Sequence, residues 1–194
     1  VCSGELAPIT VKEIRTLSSW LNRKGFHKFK LLNEEFFNLY MEASFNINLI
    51  EFDGLIYGLE LNMITNKPFL LQEPYQIEIN NIVENGKHSF LSESDDEGYI
   101  YPHTKITINT AGTLQITNSQ ENRITQIKNC VVGEIITMDY PIIQSSVSSH
   151  KIQNDFNWNF LRIANSYRNN INELTISLPC TIKMTYSPIA KVGI

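Results

Sequence analysis

The chain has 194 residues, of which 42% are hydrophobic and 19% charged, enough apolar surface for a real core and a size that allows one sandwich or barrel plus a smaller module. Its 16 Lys and Arg against 20 Asp and Glu give a formal charge of -4, and the basic residues are scattered rather than striped, which removes the electrostatic footprint of a nucleic-acid binder. No apolar stretch approaches the roughly 20 residues of a membrane helix, and no charged start followed by an apolar run marks a secretory signal, so neither nucleic acid nor membrane is expected as a partner.

The text opens on Val1-Cys2-Ser3-Gly4 rather than on Met, which points to a fragment of a longer chain. Thr10 and Glu13 then have the spacing of a capping box, and Val11, Ile14, Leu17 and Leu21 follow at helical intervals. A helix is expected over residues 11–24, with Arg23 and Lys24 at the negative end of its dipole and Gly25 in the left-handed conformation that stops it. Phe26-His27-Lys28-Phe29-Lys30-Leu31 alternates with the period of a half-buried strand. Further strands are expected at residues 36–43 and 45–52, and Asp53-Gly54 supplies a hairpin turn into the alternating Leu55, Tyr57, Leu59, Leu61 and Met63. Pro68 and Pro74 punctuate the chain, which places a domain boundary between residues 66 and 76 and gives domains over 1–72 and 73–194.

Beyond Gln76 the sequence is a series of short Ile-, Thr- and Val-rich runs bounded by Asn, Gly, Ser or Pro, the spacing of a sandwich or barrel. Strands are expected at 77–83, 104–109, 113–118, 126–131, 135–138, 158–165, 173–178 and 181–186, with no second helix of note. The polar loops at 91–98 and 145–155 are expected on the surface.

Little in the chain spells chemistry. Cys2, Cys130 and Cys180 are odd in number and widely spaced, which supports neither a disulfide framework nor a metal knuckle and fits a reduced, cytoplasmic origin. His27, His88, His103 and His150 are far apart, and the acidic run Glu93-Ser94-Asp95-Asp96-Glu97-Gly98 lacks the ligand alternation of a calcium loop, so no metal is expected. Ser145, Ser146, Ser148 and Ser149 cluster beside His150 and near Asp155, but neighbours in one loop lack the separate rigid supports that a nucleophile and its base require. No catalytic residue and no cofactor is expected. Trp158 is read as a core or domain-edge side chain. The alternative is a ring that stacks on a sugar, with Asn157, Asn159 and Arg162 as polar partners.

The runs Arg23-Lys24-Gly25-Phe26-His27-Lys28-Phe29, Glu42-Ala43-Ser44-Phe45-Asn46, Gly58-Leu59-Glu60-Leu61 with Asn66-Lys67-Pro68-Phe69, and Asp155-Phe156-Asn157-Trp158 through Leu161-Arg162, in this order, resemble the distal tail proteins of long-tailed bacteriophages and prophages. The resemblance runs from the helix to the end of the chain. It implies a mainly β, two-part protein: a small mixed α/β ring-forming domain, then a galectin-like or carbohydrate-module-like β-sandwich, with the last residues packing back on the first domain. It also implies a homo-hexameric ring in the virion tail, synthesised in the host cytoplasm, that joins the tail tube to the tail-tip hub or receptor-binding proteins. Family members carry further strands before the helix, so the ring domain here is expected to be incomplete. Under this resemblance the helix-to-strand corner (Arg23, Phe26, Lys28) and the turn at Asp53 and Gly54 are expected at contacts between subunits. The alternative function is a carbohydrate-binding module that recognises the host surface.

Overall fold

The computed structural model describes residues 7–167 and 169–192, and the chain divides between Leu71 and Gln72 into two compact units. Cys2 lies outside the described residues, as does the extreme end of the final segment.

In the first unit, helix α1 (Val11–Leu21) starts where the capping box places it. The Glu13 amide donates to Thr10 Oγ1 at 3.3 Å, and the Thr10 amide donates to Glu13 Oε2 at 2.8 Å. The helix stops three residues before the expected end: the Asn22 amide closes on the Ser18 carbonyl, and Asn22 itself has left helical backbone. Gly25, at φ +80°, then turns the chain. Strand β1 (His27–Phe29) pairs antiparallel with residues 41–43 of β2 (Leu39–Phe52). The two strands expected at 36–43 and 45–52 are therefore one 14-residue strand, preceded by a single 3-10 turn over Glu34–Phe36. Asp53 and Gly54, at φ 52° and 73°, reverse the chain into β3 (Leu55–Thr65), the left-handed pair of residues that a two-residue hairpin needs. A short strand β4 (Leu70–Gln72) runs beside β2. The buried side chains of this unit are few: Tyr40, Met41, Ala43, Leu70 and Leu71.

The second unit is a sandwich. In chain order its elements are β5 (Tyr75–Asn81), β6 (Gly86–Leu91), β7 (Gly98–Ile100), β8 (His103–Ile108), β9 (Gly112–Asn118), β10 (Arg123–Cys130), β11 (Ile135–Asp139), β12 (Ile142–Ser145), the one-turn helix α2 (Ile152–Asp155), β13 (Ile163–Asn165), β14 (Ile171–Ile176), β15 (Cys180–Tyr186) and β16 (Ile189–Ala190). One sheet has the order β10-β9-β14-β6 and the other β12-β11-β8-β15-β5, with β13 and β7 as a separate pair. Alternate residues of each strand point inward, as their period-2 sequence dictates. Leu114 and Ile116 of β9, Leu174 and Ile176 of β14, Ile106 and Ile108 of β8, and Ile182 and Met184 of β15 are all at most 1% exposed and form one core.

Several expectations need correction. Of the run 158–165 only Ile163–Asn165 is a strand, because residues 156–159 serve another strand's edge, as described below. The loops at 91–98 and 145–155 are not wholly on the surface: Ser92, Ser94 and Ile152 are buried, and the His150 side chain is 4% exposed. Strands β4, β6, β7, β12 and β16 fall outside the expected ones; Lys87, His88 and Ser89 of β6 and Gln144 and Ser145 of β12 are polar and carry no apolar alternation. Leu174 is fully buried at the centre of the core, so Leu174→Ala is expected to cost about 2–5 kcal/mol in urea unfolding, with the slope unchanged.

Candidate functional site

The register of the β2–β3 hairpin sets Phe45 opposite Met63, Ile47 opposite Leu61 and Leu49 opposite Leu59. Successive residues of a strand face opposite sides, so these six apolar side chains share one face. The other face carries Asn46 opposite Asn62 and Asn48 opposite Glu60, where Asn48 Nδ2 donates to Glu60 Oε2 at 3.0 Å, and toward its two ends the exposed Ile64, Ile50 and Phe52. Part of the apolar face is covered within the unit: Phe29 meets Phe45 edge-on at 5.1 Å between centroids. The rest is not. Leu49, Leu61 and Met63 are 44–46% exposed. Helix α1 adds to this apolar surface, because it has no buried residue and Trp20 is 60% exposed.

The residues expected at subunit contacts fall at the two ends of this hairpin. Asp53 and Gly54 form its tip. Arg23 and Lys28 line a small groove with Trp20, Phe29, Ala43 and Phe45 at its base, where Phe26 is 46% exposed and the Lys28 ammonium lies 4.4 Å from the centre of the Tyr40 ring. The nine residue steps of strand from Ala43 to Phe52 separate the two groups by about 30 Å. Pattern reasoning named the ends and missed the face between them, although its signal, the alternation of Phe45, Ile47 and Leu49 against Leu59, Leu61 and Met63, was already visible in the sequence.

In the sandwich, Asn157, Trp158, Asn159 and Arg162 lie close together, but three of them direct their polar atoms into the protein. Asn157 docks on the outer edge of β10: its amide and its Nδ2 donate to the carbonyls of Gln126 (3.1 Å) and Ile124 (2.8 Å), and its Oδ1 accepts from the Gln126 amide (3.1 Å). Asn159 Nδ2 donates to the same Ile124 carbonyl at 3.1 Å, and its Oδ1 accepts from Arg123 Nη2 at 3.2 Å. Arg162 forks onto Glu121 and lies over the Tyr99 ring, its Cζ 3.5 Å from the centroid. Trp158 stands apart from them. It is 54% exposed rather than core, and it holds φ +60°, a backbone that bulky side chains seldom adopt.

Residues 69–186 match the family described as the phage tail C-terminal domain, and residues 2–67 match that described as the phage tail protein N-terminal domain. The chain belongs to this family of phage tail proteins. A comparison with curated proteins gives no match. Among solved structures it is similar to the SPP1 Dit (gp 19.1) protein, presented as a paradigm of the hub adsorption apparatus in phages that infect Gram-positive bacteria. The TM-score is 0.63 over 94% of this chain and 74% of that one, at 9% identity, which makes the likeness one of fold. The chain is thus a phage tail protein of mainly β, Dit-like fold and a structural component of the tail, as the resemblance in its sequence implies.

The groups that look like catalytic material in this tail protein form a structural hub. Glu134, fully buried, accepts from the Val131 amide (3.0 Å), from Ser145 Oγ (2.5 Å) and from His150 Nδ1 (2.6 Å). His150 Nε2 lies 3.3 Å from Asp155 Oδ2. The Ser145 proton goes to Glu134, so the hydroxyl is not paired with an imidazole base as a nucleophile would be. The carboxylates of the acidic run are likewise tied to the chain: Asp95 accepts from the Lys191 amide at 3.1 Å and Glu97 from the Tyr167 amide at 2.8 Å. Burial pushes the thiols of Cys130 up to about 11 and Cys180 up to about 12, which keeps both protonated and unreactive at neutral pH.

Burial alone would push the Glu134 carboxyl up, yet the hydrogen bonds from Ser145, the Val131 amide and His150 outweigh it and hold the group below the usual carboxylate range. A depressed folded-state value means that the unfolded chain binds the proton more readily, so this stabilisation is present above the ordinary carboxylate value and is lost as pH falls through the folded one. Urea unfolding between about pH 5 and pH 3 is expected to show a decline in stability that Glu134→Gln makes shallower, with the variant already weaker at pH 7.

Proposed function

We propose that this chain is a distal tail protein that closes into a hexameric ring and joins the tail tube to the tail-tip hub or receptor-binding proteins, without catalysis. The observation that carries the reading is the uncovered apolar face of the β2–β3 hairpin. A two-stranded hairpin is marginally stable in water, and one that exposes Leu49, Leu61 and Met63 on one face gains stability when a second copy covers it. A ring needs two different patches on each copy, related by a rotation that closes. The hairpin face supplies one. The corner at Arg23, Phe26 and Lys28 supplies the complementary patch, and the tip at Asp53 and Gly54 reaches toward the neighbour. In this reading the first domain spans residues 1–72, the sandwich spans 73–194, and the ring sits in the virion tail after synthesis in the host cytoplasm.

The test is solution mass by light scattering over a range of concentrations, on this chain and on a version extended at its N-terminus. A hexamer for at least the extended chain is expected, and Leu61→Glu combined with Met63→Glu is expected to reduce it to monomers. Both side chains are about half exposed, so the melting temperature of the monomeric unit should move by no more than a few degrees. Strict monomers at both lengths would overturn the ring. Arg23→Glu and Lys28→Glu that leave a hexamer intact would remove the corner from its interface.

A further inference from the structure

The His150 side chain is 4% exposed, and each of its ring nitrogens faces a carboxylate oxygen: Nδ1 lies 2.6 Å from Glu134 Oε1, and Nε2 lies 3.3 Å from Asp155 Oδ2. A neutral imidazole carries a single N–H, so one of its nitrogens always presents a lone pair. The shorter contact requires a donor, which puts that hydrogen on Nδ1 and leaves the Nε2 lone pair against the Asp155 carboxylate. Nε2 is buried without a hydrogen-bond partner among the described residues, so its contact with Asp155 is one of charge. An imidazolium, with a proton on each nitrogen, makes both contacts attractive. The neutral ring makes one of them repulsive.

The other groups around the ring are already committed. Glu134 accepts from the Val131 amide and Ser145 Oγ as well as from His150. Asp155 Oδ1 accepts from Asn129 Nδ2 at 3.0 Å, which leaves Oδ2 to His150. Lys128 on β10 and Lys151 beside His150 are exposed. The Cys130 thiol is kept protonated, by burial first and also by the charges of Glu134 and Asp155, so it brings no charge of its own. A cleft of about 390 Å³ lined by Ser145, Ser148, His150, Lys151 and Gln153 runs along the same connection, which gives protons a route between the ring and solvent.

The two contacts hold down a whole segment. His150 and Asp155 both belong to the connection that follows β12, while Glu134 immediately precedes β11. The contact with Glu134 ties the connection to the sandwich, and the contact with Asp155 closes it on itself. The connection ends in α2, which packs against β10 and β12, the outer strands of their sheets, and places Ile152 in the core. We propose that residues 146–155 form a proton-operated latch on this flank, closed while His150 holds two protons and loosened when it holds one. The latch is therefore firm below the range in which imidazoles titrate, about pH 5 to 8, and weakens as pH rises through it, the opposite sign to the loss of the Glu134 carboxylate at the acid end. Opening draws α2 away from the outer strands of both sheets, and outer strands are where a further strand can pair. The inference is independent of the ring reading.

The experiment is hydrogen exchange of the full chain, read by mass spectrometry at about pH 5.5 and about pH 8.5 and corrected for the intrinsic rate at each pH. Peptides spanning residues 146–156 are expected to lose protection by roughly tenfold to a hundredfold toward the higher pH, the worth of one charge-assisted hydrogen bond, while peptides from β14 and β15 keep theirs. Asp155→Asn retains an acceptor for Asn129 and supplies an amide that can donate to the neutral ring, so its protection at the higher pH is expected to match that at the lower. His150→Gln, with no titrating proton, is expected to remove the pH dependence. Protection of residues 146–156 that does not change with pH in the parent chain would overturn the proposal, as would a loss shared equally by β14 and β15, which is global unfolding. Asp155→Asn that keeps the parent's pH dependence, or that loses protection at both pH values as a purely structural contact would, overturns it too. If His150→Gln does not fold, Asp155→Asn decides.

Discussion

A strand pair that is apolar along one whole face cannot satisfy itself in water. In the β2–β3 hairpin the two strands pair with each other, with β1 and β4 beside β2, and the polar positions of the opposite face are served by solvent and by Asn48 with Glu60. The apolar face has no such answer, because Phe29 covers only its base and α1 keeps its own apolar residues partly in solvent. At about 25 cal/mol per Å² of apolar surface removed from water, covering this face is a gain left open to the first unit. The sequence dictates that outcome: the alternation that fixes the strand register is the same alternation that leaves Leu49, Leu61 and Met63 in a row.

The sandwich is built on the opposite principle. Its two sheets turn complete apolar faces toward each other, and twelve side chains there are essentially removed from water. The polar groups caught inside are paired: Asn118 Nδ2 donates to Asn172 Oδ1 at 2.7 Å, while Asn172 also exchanges hydrogen bonds with the Ala164 backbone, and Glu134 is held by three donors. A buried network of this kind is costly when incomplete and rigid when complete. The two units thus differ in kind, one with a large closed core and the other with few buried side chains.

What the sequence made legible follows from periodicity. The capping box at Thr10 and Glu13, the hairpin turn at Asp53 and Gly54 and the alternating strands around Leu114, Ile127 and Ile182 were readable because each is a local pattern with one physical solution. The misses share another cause. Strand β6 is polar along much of its length and is a strand because β14 offers it a register from Leu91 to Gly86, a nonlocal reason. Residues 158–165 read as one strand, yet Asn157 and Asn159 bond to the edge of β10 through their side chains and only Ile163–Asn165 is a strand. His150 and Glu134 are 16 residues apart, and no spacing rule brings them within 2.6 Å.

The docking of Asn157 on β10 has a consequence for assembly. β10 is the outer strand of its sheet, and a bare outer strand is a template for the matching strand of another molecule. Six copies held in one ring would face each other at a local concentration far above that of the free chains, conditions under which bare edges find one another. By filling the Ile124 and Gln126 positions with its own amide and side chain, Asn157 leaves no vacancy there for a foreign strand, so neighbouring sandwiches can stand side by side without fusing into a continuous sheet.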